Sequence, residues 1–250
     1  ENDTMAIEDL RSKARELANA YQQLAEMEYA RSQFLTTIAH ELRTPMMAAN
    51  GFVELMKSGG LQGEALRSGL ETVARNLQQI ITLTNDILFL QEMDLILPAF
   101  EPVDLGAVVA SAVEKMQPKA QAHGVRLAMI IAADLPDIPG DARSLERAVT
   151  ALLDNAIKFS PDGGNVLVEV GHRKNETLIS VSDNGVGIPD EALAKIFDRF
   201  FHLDEVNGRL FRGVGLGLSI ARQVVEQHNG RISVDSKLGC GSKFTIRFNP

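Results

Sequence analysis

The chain has 250 residues, of which 45% are hydrophobic and 23% are charged, a composition sufficient for one large core or two modest ones. Its formal net charge is −8 and no run of lysine and arginine is present, which argues against a nucleic-acid-binding protein with a basic face. No stretch approaches the roughly 18 uninterrupted apolar residues of a membrane-spanning helix, and the single cysteine, Cys240, excludes an internal disulfide.

The first predicted element is a long helix with a heptad repeat. Steps of three and four residues from Ile7 reach apolar side chains as far as Leu42, except at Glu28 and Arg31. This periodicity predicts a coiled coil or a helical bundle, and a single amphipathic helix packed on a globular domain is the alternative. Pro45 removes a backbone donor within the helix and predicts a kink. Because the chain begins inside this helix, we expect it to be part of a longer protein.

A second helix is predicted after the break at Ser58, Gly59 and Gly60, with an apolar stripe from Leu66 to Ile87. Two long helices joined by a short glycine-containing turn form an αα-hairpin. A single hairpin leaves one face of each helix in water, and pairing two hairpins as a four-helix bundle covers both faces. We therefore expect a homodimer.

From Leu97 and Pro98 onward the pattern alternates between helices and strands. We interpret this segment as an α/β sandwich, with helices on one face of a mixed sheet. The predicted elements are a helix from the N-cap Asp104 to His123, a strand at 125–131, a helix at 141–159, strands at 166–170 and 178–181, a short helix at 196–201, a helix at 216–228, and a hairpin at 231–248 that turns at 239–241.

His40 is the first candidate functional residue. The heptad puts Leu35 and Leu42 on the helix seam and His40 on the outward face, where a nucleophile can meet a separate domain. Thr44 lies one turn further along the same face. Glu41 is adjacent and can accept a proton from one ring nitrogen, which leaves the other as a neutral nucleophile. Taken alone, His40 also fits an ordinary surface histidine.

Two segments suggest a nucleotide site. On the helix through residues 152–160, Asn155 and Lys158 share a face, so an amide oxygen and an ammonium can reach one triphosphate, and Asn155 is a plausible Mg²⁺ ligand. At 181–189 a strand ends at Asp183, whose carboxylate can accept a hydrogen bond from the adenine amine. Gly185 and Gly187 allow close backbone approach to a flat ligand. Each segment alone also fits a solvated helix or a common turn.

Two further segments follow in the chain. Residues 196–201 are rich in aromatic side chains and fit a core-facing helix. Residues 213–220 run from glycines into a helix, and backbone N–H groups at a helix N-terminus bind phosphate. A Rossmann turn is the alternative for these glycines, but they come too late in the chain and lack the βαβ context.

In this order, the five segments resemble the H, N, G1, F and G2 boxes of the sensor histidine kinases of two-component systems, over roughly residues 30–250. The resemblance implies an α + α/β fold: a dimeric four-helix-bundle hairpin, followed by an α/β sandwich of the GHKL (Bergerat) ATP-binding type. It implies a coiled-coil signalling linker at 1–33, a dimerisation and histidine phosphotransfer domain at 34–97, and a catalytic ATP-binding domain at 98–250.

The resemblance also implies the site residues and the chemistry. His40 would be the phosphoacceptor, Glu41 its acid/base partner and Thr44 a participant in the reverse phosphatase reaction; Asn155 would hold Mg²⁺ and Asp183 would read adenine. Residues 200–213 would form a flexible lid over the triphosphate. The implied ATP site comprises Asn155, Lys158, Phe159, Asp183, Gly185, Gly187, Ile188, Phe200, Arg209, Arg212, Gly213, Gly215, Leu216 and Gly217.

The implied partners are a second copy of the chain, a response-regulator receiver domain that accepts the phosphoryl group on an aspartate, and an upstream sensor domain outside this chain. Nucleic acid is not expected as a partner. We expect this fragment to be cytoplasmic, within a full-length protein that is either membrane-attached or soluble.

Two positions depart from the family pattern and bear on the alternatives. Val214 stands where many relatives have threonine, and Ala151 stands where kinases often have asparagine and clamp-type ATPases of the same superfamily have a water-activating glutamate. The alternatives are a clamp-type ATPase, which Ala151 and the histidine segment disfavour, and a signalling scaffold that is non-catalytic or acts only as a phosphatase.

Overall fold

The computed structural model describes residues 2–95, 100–160, 163–173, 176–201, 205–206, 209–210 and 214–249. The chain divides into two units, Glu1–Thr82 and Leu83–Pro250. Within the described ranges, none of the helices combines the length and the apolarity that crossing a bilayer requires. The domain boundaries given above at 33/34 and 97/98 stay predictions.

The N-terminal unit is built from two long helices, as the sequence predicts. Helix α1 spans Asn2–Lys57 and helix α2 spans Gly63–Leu95, of which the part up to Thr82 belongs to this unit. The predicted break lies between them, where Gly59 adopts a φ of +72°. Helix α1 continues through Pro45, and the kink there stays a prediction.

The two helices approach closely where they turn. A Cβ on Gly69 would lie 3.0 Å from Leu61 Cδ1 and 3.3 Å from Met56 Cε. The apolar seam is uncovered in the single chain, because its side chains are between 50% and 65% exposed. These seam residues are Leu17, Tyr21, Leu24, Leu35, Leu70 and Leu77.

The C-terminal unit alternates between helices and strands. In chain order the elements are β1 (Glu101–Val103), α3 (Leu105–Ala122), β2 (Val125–Ile131), β3 (Ile138–Gly140), α4 (Ala142–Lys158), β4 (Gly164–Arg173), β5 (Glu176–Asp183), α5 (Asp190–Leu193), β6 (Glu205–Val206), β7 (Arg209–Leu210), α6 (Gly217–Gln227), β8 (Gly230–Lys237) and β9 (Gly241–Phe248). Five of the strands form one sheet with the order β2-β4-β5-β9-β8. Strands β2 and β4 are parallel, and the other neighbours are antiparallel. A separate pair, β1 with β3, is antiparallel, and so is the pair β6 with β7.

Local signals explain where helices α3 and α4 begin. The Asp104 carboxylate accepts hydrogen bonds from the backbone N–H groups of Gly106 and Ala107 and caps α3. Asp141 caps α4 in the same way, with bonds from Arg143 and Ser144. Each cap satisfies donors that have no partner inside the helix, so the predicted start at Asp104 is confirmed.

The core lies between the sheet and the helices α3, α4 and α6. One face of the sheet is apolar and is buried along its central strands β4, β5 and β9, and the helices present buried leucine, isoleucine and valine side chains to it. The opposite face is polar, with Glu169 beside Lys243 and Ser180. Such alternation is expected of strands that are covered on one face only, and it confirms the α/β sandwich. The sheet side chains at most 1% exposed include Val166, Val168, Ile179, Val181, Phe244 and Ile246.

The predicted helix at 196–201 is wrong. Residues 194–200 form successive turns, and only the four residues of α5 before them are helical. Phe200 has a φ of +63°, which a right-handed helix does not allow, and its N–H donates to the carbonyl of Gly215 at 2.9 Å. At Phe200 a contact with a distant segment therefore takes the place of the helical hydrogen bond.

Candidate functional site

His40 lies on the exposed surface of α1, as the heptad predicts. Its side chain is 74% exposed, and its Nδ1 is 3.8 Å from Oε1 of Glu41, whose side chain is 22% exposed. The Thr44 hydroxyl donates to the backbone carbonyl of His40 at 3.3 Å. Within the described part of the chain, Nε2 of His40 receives no hydrogen bond. The ring therefore presents one nitrogen to a carboxylate and leaves the other open to an incoming group.

In the C-terminal unit, Asp183 is the last residue of strand β5, and one of its two carboxylate oxygens accepts hydrogen bonds from the protein. Its Oδ1 accepts hydrogen bonds from the N–H groups of Gly185 (2.9 Å) and Ser242 (3.2 Å). No described residue donates to Oδ2, so that oxygen is available to a ligand. Burial raises the pKa of Asp183 above its ordinary value, although the two hydrogen bonds act in the opposite direction.

The loop after Asp183 is pressed against its neighbours at both of its glycines. A Cβ on Gly185 would lie 2.1 Å from the carbonyl oxygen of Phe159, and one on Gly187 would lie 2.1 Å from that of Lys237. Gly187 also has a φ of +71°. Side chains at these two positions are therefore excluded by backbone atoms of the protein itself. Ile188, at the end of this loop, is buried.

Helix α4 carries two of the candidate phosphate-binding and metal-binding groups. Asn155 and Lys158 are both partly buried, and Lys158 Nζ lies 4.8 Å from the centre of the Phe159 ring. Burial lowers the pKa of Lys158 below its ordinary value, opposed by the nearby Asp154 carboxylate. Asp154 itself forms an ion pair with Lys119 of α3.

The donors around Asn155 suit one kind of cation site. Among the described residues, no group of three or more His, Cys, Asp or Glu side chains is placed to hold a metal, and no described residue hydrogen-bonds the Asn155 side chain. Mg²⁺ prefers oxygen ligands and is commonly bound through few protein groups together with substrate phosphates. One amide oxygen fits that pattern.

The N-terminus of α6 lies beside α4. The helix begins at Gly217, where a Cβ would meet that of Ala151 at 3.7 Å, one turn before Asn155. No side chain of the described residues caps this end, so its first backbone N–H groups are available to an anion. Just before it, Gly215 has a φ of +73°, and Leu216 is buried.

Part of the predicted lid lies outside the described residues. This applies to Arg212 and Gly213, and only the backbone of Arg209 is described, in strand β7. Phe200 lies in the turn that bonds to Gly215. The assignment of 200–213 as a lid stays a prediction.

The sequence analysis did not identify two serines that lie beside Asp183 and Ile188. Ser242 donates its N–H to Asp183, and Ser236 accepts a hydrogen bond from the N–H of Ile188 at 2.9 Å. In addition, the Asn184 side chain accepts from the N–H of Asn165. The only local signal was the position of the two serines on either side of the turn at 238–240.

Comparison with known proteins identifies both units. The family described as His Kinase A (phospho-acceptor) domain matches residues 30–95, and the family described as Histidine kinase-, DNA gyrase B-, and HSP90-like ATPase matches residues 140–250. The cell-division control histidine kinase PdhS of Brucella suis is 30% identical over 249 residues, which covers 94% of this chain and 24% of PdhS. This chain thus spans about a quarter of the length of the curated relatives it matches.

Two solved structures are also similar. The mycobacterial sensor histidine kinase MprB is 31% identical, with a TM-score of 0.52, over 60% of this chain and 99% of the MprB chain. Full-length ShkA, crystallised in complex with AMPPNP, is 27% identical, with a TM-score of 0.62, over 86% of this chain and 45% of the ShkA chain.

Proposed function

Because the chain belongs to the sensor histidine kinase family, we propose that it transfers the γ-phosphoryl group of ATP to His40 and then to an aspartate of a response-regulator receiver domain. The observation that carries this proposal is the exposed His40 ring with its Nδ1 beside Glu41. In the first step Nε2 attacks the γ-phosphorus, an N–P bond forms and the bond to the β-phosphate oxygen breaks. ADP leaves, and Glu41 takes the Nδ1 proton.

We assign ATP binding to the C-terminal unit. Asp183 accepts a hydrogen bond from the adenine amine through Oδ2, since its Oδ1 is already bonded. Lys158 and the first N–H groups of α6 hold the phosphates, and Asn155 holds Mg²⁺, which supplies charge neutralisation when bound. Phosphoryl transfer depends mainly on such positioning and charge stabilisation. The AMPPNP complex of the related ShkA supports the ATP assignment.

We further propose that two copies of the chain pair through the exposed seam of the N-terminal unit as a four-helix bundle. Such pairing would bury the six half-exposed seam side chains of each copy, which favours association. Residues 1–33 then transmit a signal from an upstream sensor domain, and Thr44 takes part in dephosphorylating the regulator. We place these reactions in the cytoplasm.

A clamp-type ATPase is the competing function. Such enzymes activate water with a glutamate, and the corresponding position beside the start of α6 is Ala151. An alanine side chain has no group that accepts a proton, so hydrolysis by that route lacks its base.

The decisive test is incubation with γ-labelled ATP. We expect wild type and the control His172→Ala, which alters an exposed histidine of the sheet, to become labelled equally, and His40→Ala to remain unlabelled. The label should be stable in alkali and labile in acid, as expected for a phosphoramidate. Label retained by His40→Ala contradicts the proposal, and phosphate release without labelling of the protein supports the clamp-type ATPase.

A further inference from the structure

The end of the β8–β9 hairpin, residues 236–242, lies next to Asp183. Strand register brings the parts together: Asp183 pairs with Ser242 across β5 and β9, and Ser236 pairs with Ser242 across β8 and β9. Three polar side chains are thereby aligned at one end of the sheet. The proposed function uses only the first of them.

The Ser236 hydroxyl has a full set of hydrogen bonds. It donates to the carbonyl oxygen of Gly241 at 2.9 Å and accepts from the N–H of Ile188 at 2.9 Å. Its third neighbour is the Ser242 hydroxyl at 3.0 Å. Because the one Ser236 proton goes to Gly241, the Ser242 hydroxyl must be the donor in this last contact.

The carbonyl of Gly241 and the N–H of Ser242 belong to the same peptide group. Ser236 holds this peptide by its oxygen, and the peptide in turn donates its N–H to Asp183 Oδ1. The hydrogen bonds therefore run in one direction, from the Ile188 N–H through Ser236 and the Gly241–Ser242 peptide to the carboxylate. Bonds aligned in this way polarise and strengthen one another.

The backbone at Gly241 lies directly against Asp183. A Cβ on Gly241 would lie 2.1 Å from the carbonyl oxygen of Asp183, and its φ is +89°. Strand pairing holds the two residues of the peptide in the sheet. Ser236 is the side chain that bonds the carbonyl of this peptide, and the rotation of the peptide decides whether its N–H points at Oδ1.

We propose that Ser236 is a positioning residue for the adenine site, which orients the Gly241–Ser242 peptide so that Asp183 keeps Oδ1 occupied and turns Oδ2 towards the base. The inference rests on the proposed role of Asp183 as the adenine-reading group. It predicts that loss of the Ser236 hydroxyl weakens recognition of the base and leaves the phosphate-binding groups of α4 and α6 unchanged.

The test is equilibrium binding of ATP and of ITP, in which a carbonyl oxygen replaces the exocyclic amine. Ser236→Ala should weaken ATP binding about tenfold, which is the effect of one net hydrogen bond. It should weaken ITP binding less, so the ratio of the ATP affinity to the ITP affinity should fall. The KM for ATP should rise while kcat at saturating ATP stays near that of wild type. Ser236→Thr, which keeps the hydroxyl, should bind ATP within about twofold of wild type.

Ser233→Ala is the matched control, because Ser233 lies on the same strand and bonds Arg247 instead of the pocket. Should Ser236→Ala fail to fold, Ser236→Cys retains a weaker donor and acceptor of similar size and should give a smaller loss of the same kind. Wild-type ATP affinity in the folded Ser236→Ala or Ser236→Cys variant overturns the inference. An equal loss of affinity for ATP and for ITP also overturns the inference, because it indicates that the whole binding site has loosened.

An Asp183→Asn variant separates this inference from the proposed function. If Asp183→Asn binds ATP like wild type, the base-reading role fails and the Ser236 inference fails with it. If Asp183→Asn loses ATP binding and Ser236→Ala does not, only the positioning role of Ser236 is wrong.

Discussion

Asparagine at position 183 should make the ligand-free protein more stable and the nucleotide complex weaker. The two N–H groups that point at Oδ1 require an acceptor, so the asparagine carbonyl oxygen must take that place. Its NH₂ group then occupies the position of Oδ2. Adenine presents its own amine to this position, and two donors face each other.

The magnitude for binding follows from the lost contact. A hydrogen bond to a charged group contributes about 1.5–3 kcal/mol, and leaving a buried donor without a partner costs about 1–3 kcal/mol. Together they weaken ATP binding by at least about 60-fold. For ITP the sign reverses, because its carbonyl oxygen accepts from the new NH₂ group, so the variant should prefer ITP over ATP.

The effect of Asp183→Asn on the stability of the ligand-free protein has the opposite sign, because the pKa of Asp183 is raised. Burial raises the pKa of Asp183 above its ordinary value of 3.8, so the folded state binds the proton more tightly than the unfolded state. Stability therefore falls as the pH rises through the window between 3.8 and the raised folded pKa. At a pH above the raised folded pKa the full cost of burying the charged carboxylate is present, and the neutral asparagine removes it, so the Tm of the ligand-free variant should be higher than that of wild type.

The assay is thermal unfolding by circular dichroism without nucleotide, at pH 7 and at a pH below the ordinary carboxyl pKa, together with ATP and ITP titrations. We expect the gain in Tm at pH 7 and little gain at the acidic pH. A lower Tm for Asp183→Asn at pH 7 refutes the burial argument. Unchanged ATP affinity refutes the orientation of Oδ2.

Two further predictions concern the stability of the C-terminal unit. Buried His228 accepts a hydrogen bond from the N–H of Asp141, and burial lowers the pKa of His228 below its ordinary value of 6.5. The free energy of unfolding should therefore be highest above pH 6.5 and should fall as the pH drops towards the lowered folded pKa. Urea unfolding at stepped pH measures this, and an identical pH slope in His228→Gln contradicts it. Arg147→Met leaves the half-buried Asp86 carboxylate without its partner at 2.6 Å and should destabilise by about 2 kcal/mol. The same change at Arg222, in an exposed pair, should stay within about 0.5 kcal/mol; equal effects of the two substitutions would show that burial does not govern the Asp86 pair.

Local signals are sufficient to predict the long helices of this protein. The break at Ser58–Gly60 and the cap at Asp104 were read correctly from a few neighbouring residues, because glycine and capping chemistry act over a single turn. The helix predicted at 196–201 is wrong for the complementary reason. Its apolar pattern fits a helix, but the N–H of Phe200 bonds to Gly215, a contact that no short window of sequence contains.

The same distinction separates the site residues that were found from those that were missed. Asp183, Gly185 and Gly187 lie in one short segment, so their spacing could be read directly. Ser236 and Ser242 reach the pocket only because β9 pairs with both β5 and β8. The alternating pattern predicts strands but not their order in the sheet.

The glycines of the loop after Asp183 have a structural role that their sequence motif does not reveal. Sequence reasoning attributed Gly185 and Gly187 to close approach of a ligand, yet both are already required by carbonyl oxygens of Phe159 and Lys237 at distances no Cβ tolerates. An alanine at Gly187 must therefore disturb the loop without any nucleotide present. Such a variant should lose ATP binding because its backbone is displaced. The groups that recognise the base are therefore better assigned by substitutions at Asp183 and Ser236, which change a polar side chain and leave the glycine positions as they are.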